Sequence, residues 1–154
     1  MLKKALYVFL ISMVPIIELR GAIPVGAALQ MPWWLTFLVA VVGNLLPVPF
    51  ILFFVEKVLQ FMKAHRIFPR LVNWLEEKAQ KGIHRVEKHA LLGLMLFVAI
   101  PLPGTGAWTG SLIASLFHLD RRFSMISIFC GVLVAGVLVT LISYGVLGFL
   151  SFLL

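Results

Sequence analysis

"PIIELRGAIP", residues 15–24, places two opposite charges, Glu18 and Arg20, in an otherwise apolar stretch bracketed by Pro15 and Pro24. A regular membrane helix tolerates this badly. An ionisable group at bilayer depth costs roughly 2.5–3.5 kcal/mol on insertion scales, so such groups face a cavity or a partner. Proline lacks a backbone donor and clashes with the preceding turn, which predicts a broken helix. On an unbroken helix residues two apart point to nearly opposite sides. In an irregular turn, Glu18 and Arg20 can instead meet each other or a third group. Irregular backbone at that depth survives only under protein or beside a water-filled cavity.

The composition says why lipid is the solvent. Of 154 residues, 62% are hydrophobic and 12% charged, against about 25% charged in a soluble domain. Mean hydropathy is +1.08. An integral membrane protein follows. The net charge of +7 is clustered: eight of the 13 Lys and Arg lie between Lys57 and Lys88, and Lys3, Lys4, Arg20, Arg121 and Arg122 complete the set. This reads as a positive-inside signal and attraction to anionic lipid headgroups, with no nucleic acid as partner. Cys130 is the single cysteine, so an intramolecular disulfide and a cysteine metal cluster are excluded. Lys3 and Lys4 before an apolar run resemble a signal peptide, but Glu18 and Arg20 stand where a cleavage site belongs, so the segment is expected to stay.

The apolar sequence falls into four blocks. Residues 5–30 are broken by the opening motif, 33–55 are long enough to span, 90–119 are broken by "PLPGTGAWTG" (101–110), and 123–154 span again. Each broken block divides into pieces of about ten residues, too short to cross but suited to a re-entrant hairpin. Residues 56–89 form a basic linker, read as an amphipathic helix on the membrane surface from the spacing of Leu71, Leu75, Ala79, Ile83, Val86 and Ala90. The expected fold is all-α: two inverted repeats, each a re-entrant helical hairpin plus a transmembrane helix. Gly21, Ala22 and Gly26 are weakly echoed by Gly106, Ala107 and Gly110. Paired Gly/Pro-interrupted segments point to a transporter's binding site. Ten basic residues in the linker and the Arg121–Arg122 turn put both on the cytoplasmic side. Charge leaves open whether block one re-enters or spans.

Two constellations carry chemistry. Arg20 offers a planar fork for an anionic headgroup, and Glu18, removed from water, is a candidate to carry a coupling proton. A structural ion pair is the plain alternative. Gly21 and Pro24 belong to the same break. In the second motif, Pro101, Pro103, Gly104 and Gly106 shape a tight turn that exposes backbone N–H groups and the hydroxyls of Thr105 and Thr109, and a following half-helix would point its positive end at an anion. The Gly-Lys-Ser/Thr ending of a P-loop is missing. Asn44, beside Pro47 and Pro49 in the second block, could gate a cavity or bond a neighbouring helix. His84 and His89 lie on different helix faces, so metal binding is not expected. No nucleophile–base pair stands out, so neither an enzyme nor a cofactor is expected.

Taken together, "PIIELRGAIPVGAAL" (15–29) and "PLPGTGAWTGSLIASL" (101–116) resemble the small multidrug export protein family, which is distantly similar to the DedA/VTT (SNARE-associated) membrane proteins. The resemblance covers nearly the whole chain. It implies two opposed re-entrant hairpins in a multi-pass protein of a bacterial plasma membrane. It also implies movement of a lipid phosphate such as undecaprenyl phosphate, with proton coupling. Glu18 matches an acidic position of the first hairpin and Gly104 to Gly110 the turn of the second. DedA proteins carry an arginine in the second motif, whereas this chain has none from Ala90 to Asp120, leaving Arg20 to act from the first. The leading expectation is a flippase or transporter of an anionic lipid phosphate. Export of cationic amphiphilic drugs, or a non-transporting membrane organiser, are the alternatives. Membrane lipids and a second copy in a homodimer are the expected partners.

Overall fold

The computed structural model describes residues 1–65, 91–102 and 104–153, and among these every regular element is a helix. Helix α1 runs Leu2–Met13, α2 Glu18–Ala28, α3 Trp33–Leu45 and α4 Pro47–Ala64. The described part of α5 is 91–99, followed by α6, Ala107–Leu116, and α7, Arg121–Leu153. The amphipathic reading of the linker falls mostly on 66–90, outside the described residues.

Prolines punctuate the chain as backbone sterics require. Val14, before Pro15, takes an extended conformation (φ −72°, ψ 128°) and ends α1, because a residue preceding proline is pushed out of the helical region. Pro47 opens α4, a position where its missing N–H costs least; the block-two helix continues through Leu46, which keeps helical dihedrals and bonds the Val42 carbonyl. It also runs on to Ala64, past the boundary expected at 55. Asp120 caps α7, its Oδ1 accepting from the N–H groups of Arg122 (2.9 Å) and Phe123 (3.1 Å).

The first two helices double back. Lys4 Nζ, near the start of α1, donates to the carbonyl of Leu29, just past the end of α2, at 2.8 Å. Helix α3 then packs on this hairpin through two glycines. Gly43 lies against Ser12 and Phe9, and Gly26 lies against Thr36. Helices α5 and α6 form a similar pair, with Gly110 against Val98 and Leu94, and Gly131 of α7 sits against Met95 and Val98. The halves interlock: α2 packs on α7, and α4 packs on α6. One apolar core runs through the seven described helices, including Val8, Ile23, Ala40, Leu52, Val98, Ala114 and Val132.

The turns of the two halves match in detail. After α2, Met31 N–H reaches back to the Gly26 carbonyl (3.0 Å) with Gln30 left-handed (φ 56°). After α6, Leu119 N–H reaches the Ala114 carbonyl (2.9 Å) with His118 left-handed (φ 50°). Both are six-to-one helix-ending turns, built without glycine. Before the second helix of each pair stand Ile16 (φ 79°) and Gly104 (φ 84°). This register differs by about one helical turn from the glycine echo in the sequence, which aligned packing residues, not turns.

Two stretches, Trp33–Val55 and Arg121–Val146, are long and apolar enough to cross a membrane. Leu10, Phe50, Phe54, Ile126 and Leu141 are exposed on the outer surface, as lipid-facing residues are. The chain is a membrane protein, all-helical among the described residues.

Candidate functional site: a charged latch between helix pairs

Glu18 and Arg20 lie at the start of α2, not in the loop. The break is shorter than the two prolines suggest, covering residues 14–17, and Pro24 stands exposed inside α2. Proline there deletes a single ladder bond on an outward face, which the helix survives. The link into α2 is strained: Ile16, β-branched and 82% exposed, and Glu18 (φ 52°) are both left-handed. Each such residue costs on the order of 1–3 kcal/mol and persists only where its surroundings hold it.

For Glu18 the holding contact is with the second half of the molecule. The side chain is only 4% exposed. Its Oε2 accepts from Ala107 N–H at 3.2 Å and its Oε1 from Trp108 N–H at 3.1 Å. These are the first free donors of α6, so the carboxylate caps that helix and sits at the positive end of its dipole. Gly106 makes this approach geometrically available, because a Cβ there would fall inside the carboxylate.

Arg20 takes the complementary end. Its Nη1 donates to the Leu102 carbonyl, and its Nη2 lies 3.3, 2.9 and 2.7 Å from the carbonyl oxygens of Val98, Ile100 and Thr105. These oxygens belong to the end of α5 and the turn beyond it, where helix carbonyls lack partners. Thr105 Oγ1 lies 2.7 and 2.9 Å from the carbonyls of Ile100 and Leu102 and folds that turn onto itself. The guanidinium fork suits several carbonyls at once, which an ammonium cannot match. Charge-assisted hydrogen bonds contribute about 1.5–3 kcal/mol each.

A third contact runs the other way. Trp108 Nε1 donates to the carbonyl of Met13, at the end of α1, at 3.1 Å. Each helix pair thus caps the other: carboxylate on a helix start, guanidinium and indole on helix ends. Trp108 was not among the residues singled out from sequence, although an indole inside a glycine-rich turn was the available signal.

The remaining residues divide plainly. Thr105 and Gly106 join Glu18 and Arg20 in the latch, and exposed Gly104 supplies the left-handed turn residue. Thr109 lies in the first turn of α6, and Pro101 is exposed at the start of the turn. Gly21 packs beneath Ile17. Pro24 faces outward, and Pro103 is outside the described residues. Asn44 is wholly buried on α3, and neither of its side-chain atoms has a partner among the described residues. Among those residues there is no cluster of three or more His, Cys, Asp or Glu suited to a metal.

The family model described as "Putative small multi-drug export protein" matches residues 18–138. No curated protein and no solved structure matches the chain. The matched region begins at Glu18 itself and takes in both sides of the latch, the whole first apolar span and most of the second. The chain belongs to this small multi-drug export protein family.

Proposed function

We propose that this protein is a secondary transporter exporting an amphiphilic organic molecule, and that the latch is the element its coupling ion opens. The observation carrying the reading is that both carboxyl oxygens of Glu18 accept from the first two N–H groups of α6. A proton on Glu18 would remove the carboxylate's charge and occupy one of the two oxygens, so one α6 donor loses its partner and the other keeps only a neutral, weaker acceptor. Arg20 keeps its carbonyls, so the second pair would pivot on one side of the latch.

The architecture supports this. Helices of 10 to 12 residues are about 15–18 Å long, short of the roughly 30 Å hydrocarbon core. The two pairs are therefore read as re-entrant hairpins. The matched turns and the reciprocal packing of α2 on α7 and α4 on α6 support two inverted halves meeting at their tips, as transporters built from inverted repeats do.

Between substrates, the engagement of Arg20 is what weighs. A lipid phosphate would have to displace carbonyls from both terminal nitrogens; the donor left over is Nε, buried and unpartnered among the described residues. With Glu18 near and carbonyl oxygens around it, Arg20 also repels a cation less than a bare guanidinium would. Export of a cationic amphiphile therefore fits better, with the lipid phosphate as the second reading through Nε. The test is efflux from proteoliposomes under a pH gradient, with ethidium as cationic amphiphile and a short-chain undecaprenyl phosphate analogue as anionic one. Gradient-driven ethidium efflux that Glu18→Gln lowers about tenfold or more is expected. Equal rates in wild type, Glu18→Gln and Arg20→Ala would contradict the mechanism.

A further inference from the structure

Away from the latch, α3 and α7 part to leave a groove of about 420 Å³. That is the size of a small-molecule site. Its walls include Trp33, Phe37, Thr140, Leu141, Tyr144 and Gly145. None is charged, and three are aromatic. We infer that this groove is a binding site for a neutral, flat aromatic molecule taken from the membrane–water boundary. The inference rests on the export reading and adds a neutral class of ligand to the amphiphilic cation weighed there.

Four observations point to an occupant of that kind. The first is the gap itself. A Cβ on Gly145 would meet nothing within 4 Å, whereas one on Gly136, on the same helix, would come within 2.8 Å of the Phe37 ring. Gly136 is needed for helix contact; Gly145 leaves space that no helix contact requires. The second is rigidity. The Tyr144 hydroxyl lies 2.8 Å from the Met31 carbonyl and 2.7 Å from Thr36 Oγ1, so its ring is fixed at the groove wall. The third is Thr140, about nine-tenths buried, whose hydroxyl has no partner among the described residues. A χ1 rotation exchanges its methyl and hydroxyl, which lets one polar atom of a ligand satisfy it.

The fourth is depth. Trp33 is the first residue of one apolar span, and Tyr144 lies 22 residues beyond Arg122, the last charged residue of the sequence, about the length that crosses a hydrocarbon core. The groove therefore sits at headgroup level, where amphipathic rings concentrate, and not at mid-bilayer, where acyl chains do. Because no acidic residue lines it, a cation would be buried there without a counter-charge, which favours a neutral ring.

The test uses tritiated N-phenyl-1-naphthylamine and the full chain in phosphatidylcholine nanodiscs, with empty nanodiscs subtracted. Saturable binding is expected, weakened about tenfold or more by Gly145→Leu and about fivefold by Thr140→Val, which keeps the shape and removes the hydroxyl. Gly93→Leu places the same side chain where a Cβ also meets nothing within 4 Å, outside the groove, and should bind as wild type. Non-saturable binding would mean that lipid fills the groove and would overturn the inference. So would tighter binding of ethidium than of the neutral probe, or a change of oligomeric mass in Gly145→Leu with probe affinity intact. Binding needs no transport, so the two readings fail separately. Gly145-sensitive binding without efflux overturns export alone, and Glu18-dependent efflux with Gly145-insensitive binding overturns the groove alone.

Discussion

At the scale of single residues, Gly106 and Glu18 form one unit. A methyl on Gly106 cannot coexist with the carboxylate where it now sits, so Gly106→Ala and Glu18→Ala break the same contact. Each is expected to lower stability by about 2–3 kcal/mol, and the double variant by about as much as either alone. A double-mutant cycle on thermal unfolding in detergent checks this, and additive losses would contradict it. Arg20→Lys should cost about 2 kcal/mol or more although it keeps the charge, because one ammonium cannot reach the four carbonyls of Val98, Ile100, Leu102 and Thr105. Ile16 points the other way. It is left-handed and exposed, so Ile16→Gly removes strain while sacrificing little packing. A gain of about 1 kcal/mol is expected, read as a higher unfolding temperature.

At the scale of helices, the glycines sort by what a side chain would strike. A Cβ on Gly131 would come within 2.7 Å of the Met95 carbonyl oxygen and of Val98 Cβ, and backbone cannot yield as a flexible side chain does. Gly131→Ala is expected to destabilise by about 1–3 kcal/mol. Gly93→Ala, with nothing to strike, should be neutral or stabilising by up to about 1 kcal/mol; melting curves of the two variants make the comparison. The helix breaks were legible in advance, because proline and glycine act on their own backbone. The extent of each break was less so. Pro24 looked like a boundary, yet one missing donor on an outward face did not stop α2. The partners of Glu18 and Arg20 were not legible at all. They are main-chain N–H and C=O groups 78 to 90 residues away, and a backbone group carries no signature in the side-chain alphabet. The groove was hidden for a related reason: Gly145 reads like any glycine of a membrane helix until the space beside it is known.

For the molecule as a whole, the two charges that made "PIIELRGAIP" look misplaced are what join its halves. Glu18 and Arg20 each satisfy a helix end that would otherwise be left open in an apolar surrounding, and Trp108 returns the contact. If transport works by parting these tips, the latch must be closed when Glu18 is charged and looser when it is not. Spin labels at Ile17 and Leu102, both exposed, report that distance by pulsed electron resonance once Cys130, the single native cysteine, is replaced by alanine. With Glu18 present at neutral pH, one narrow, short distance is expected; Glu18→Gln should broaden and lengthen it. The same narrow distribution in both proteins would contradict the account.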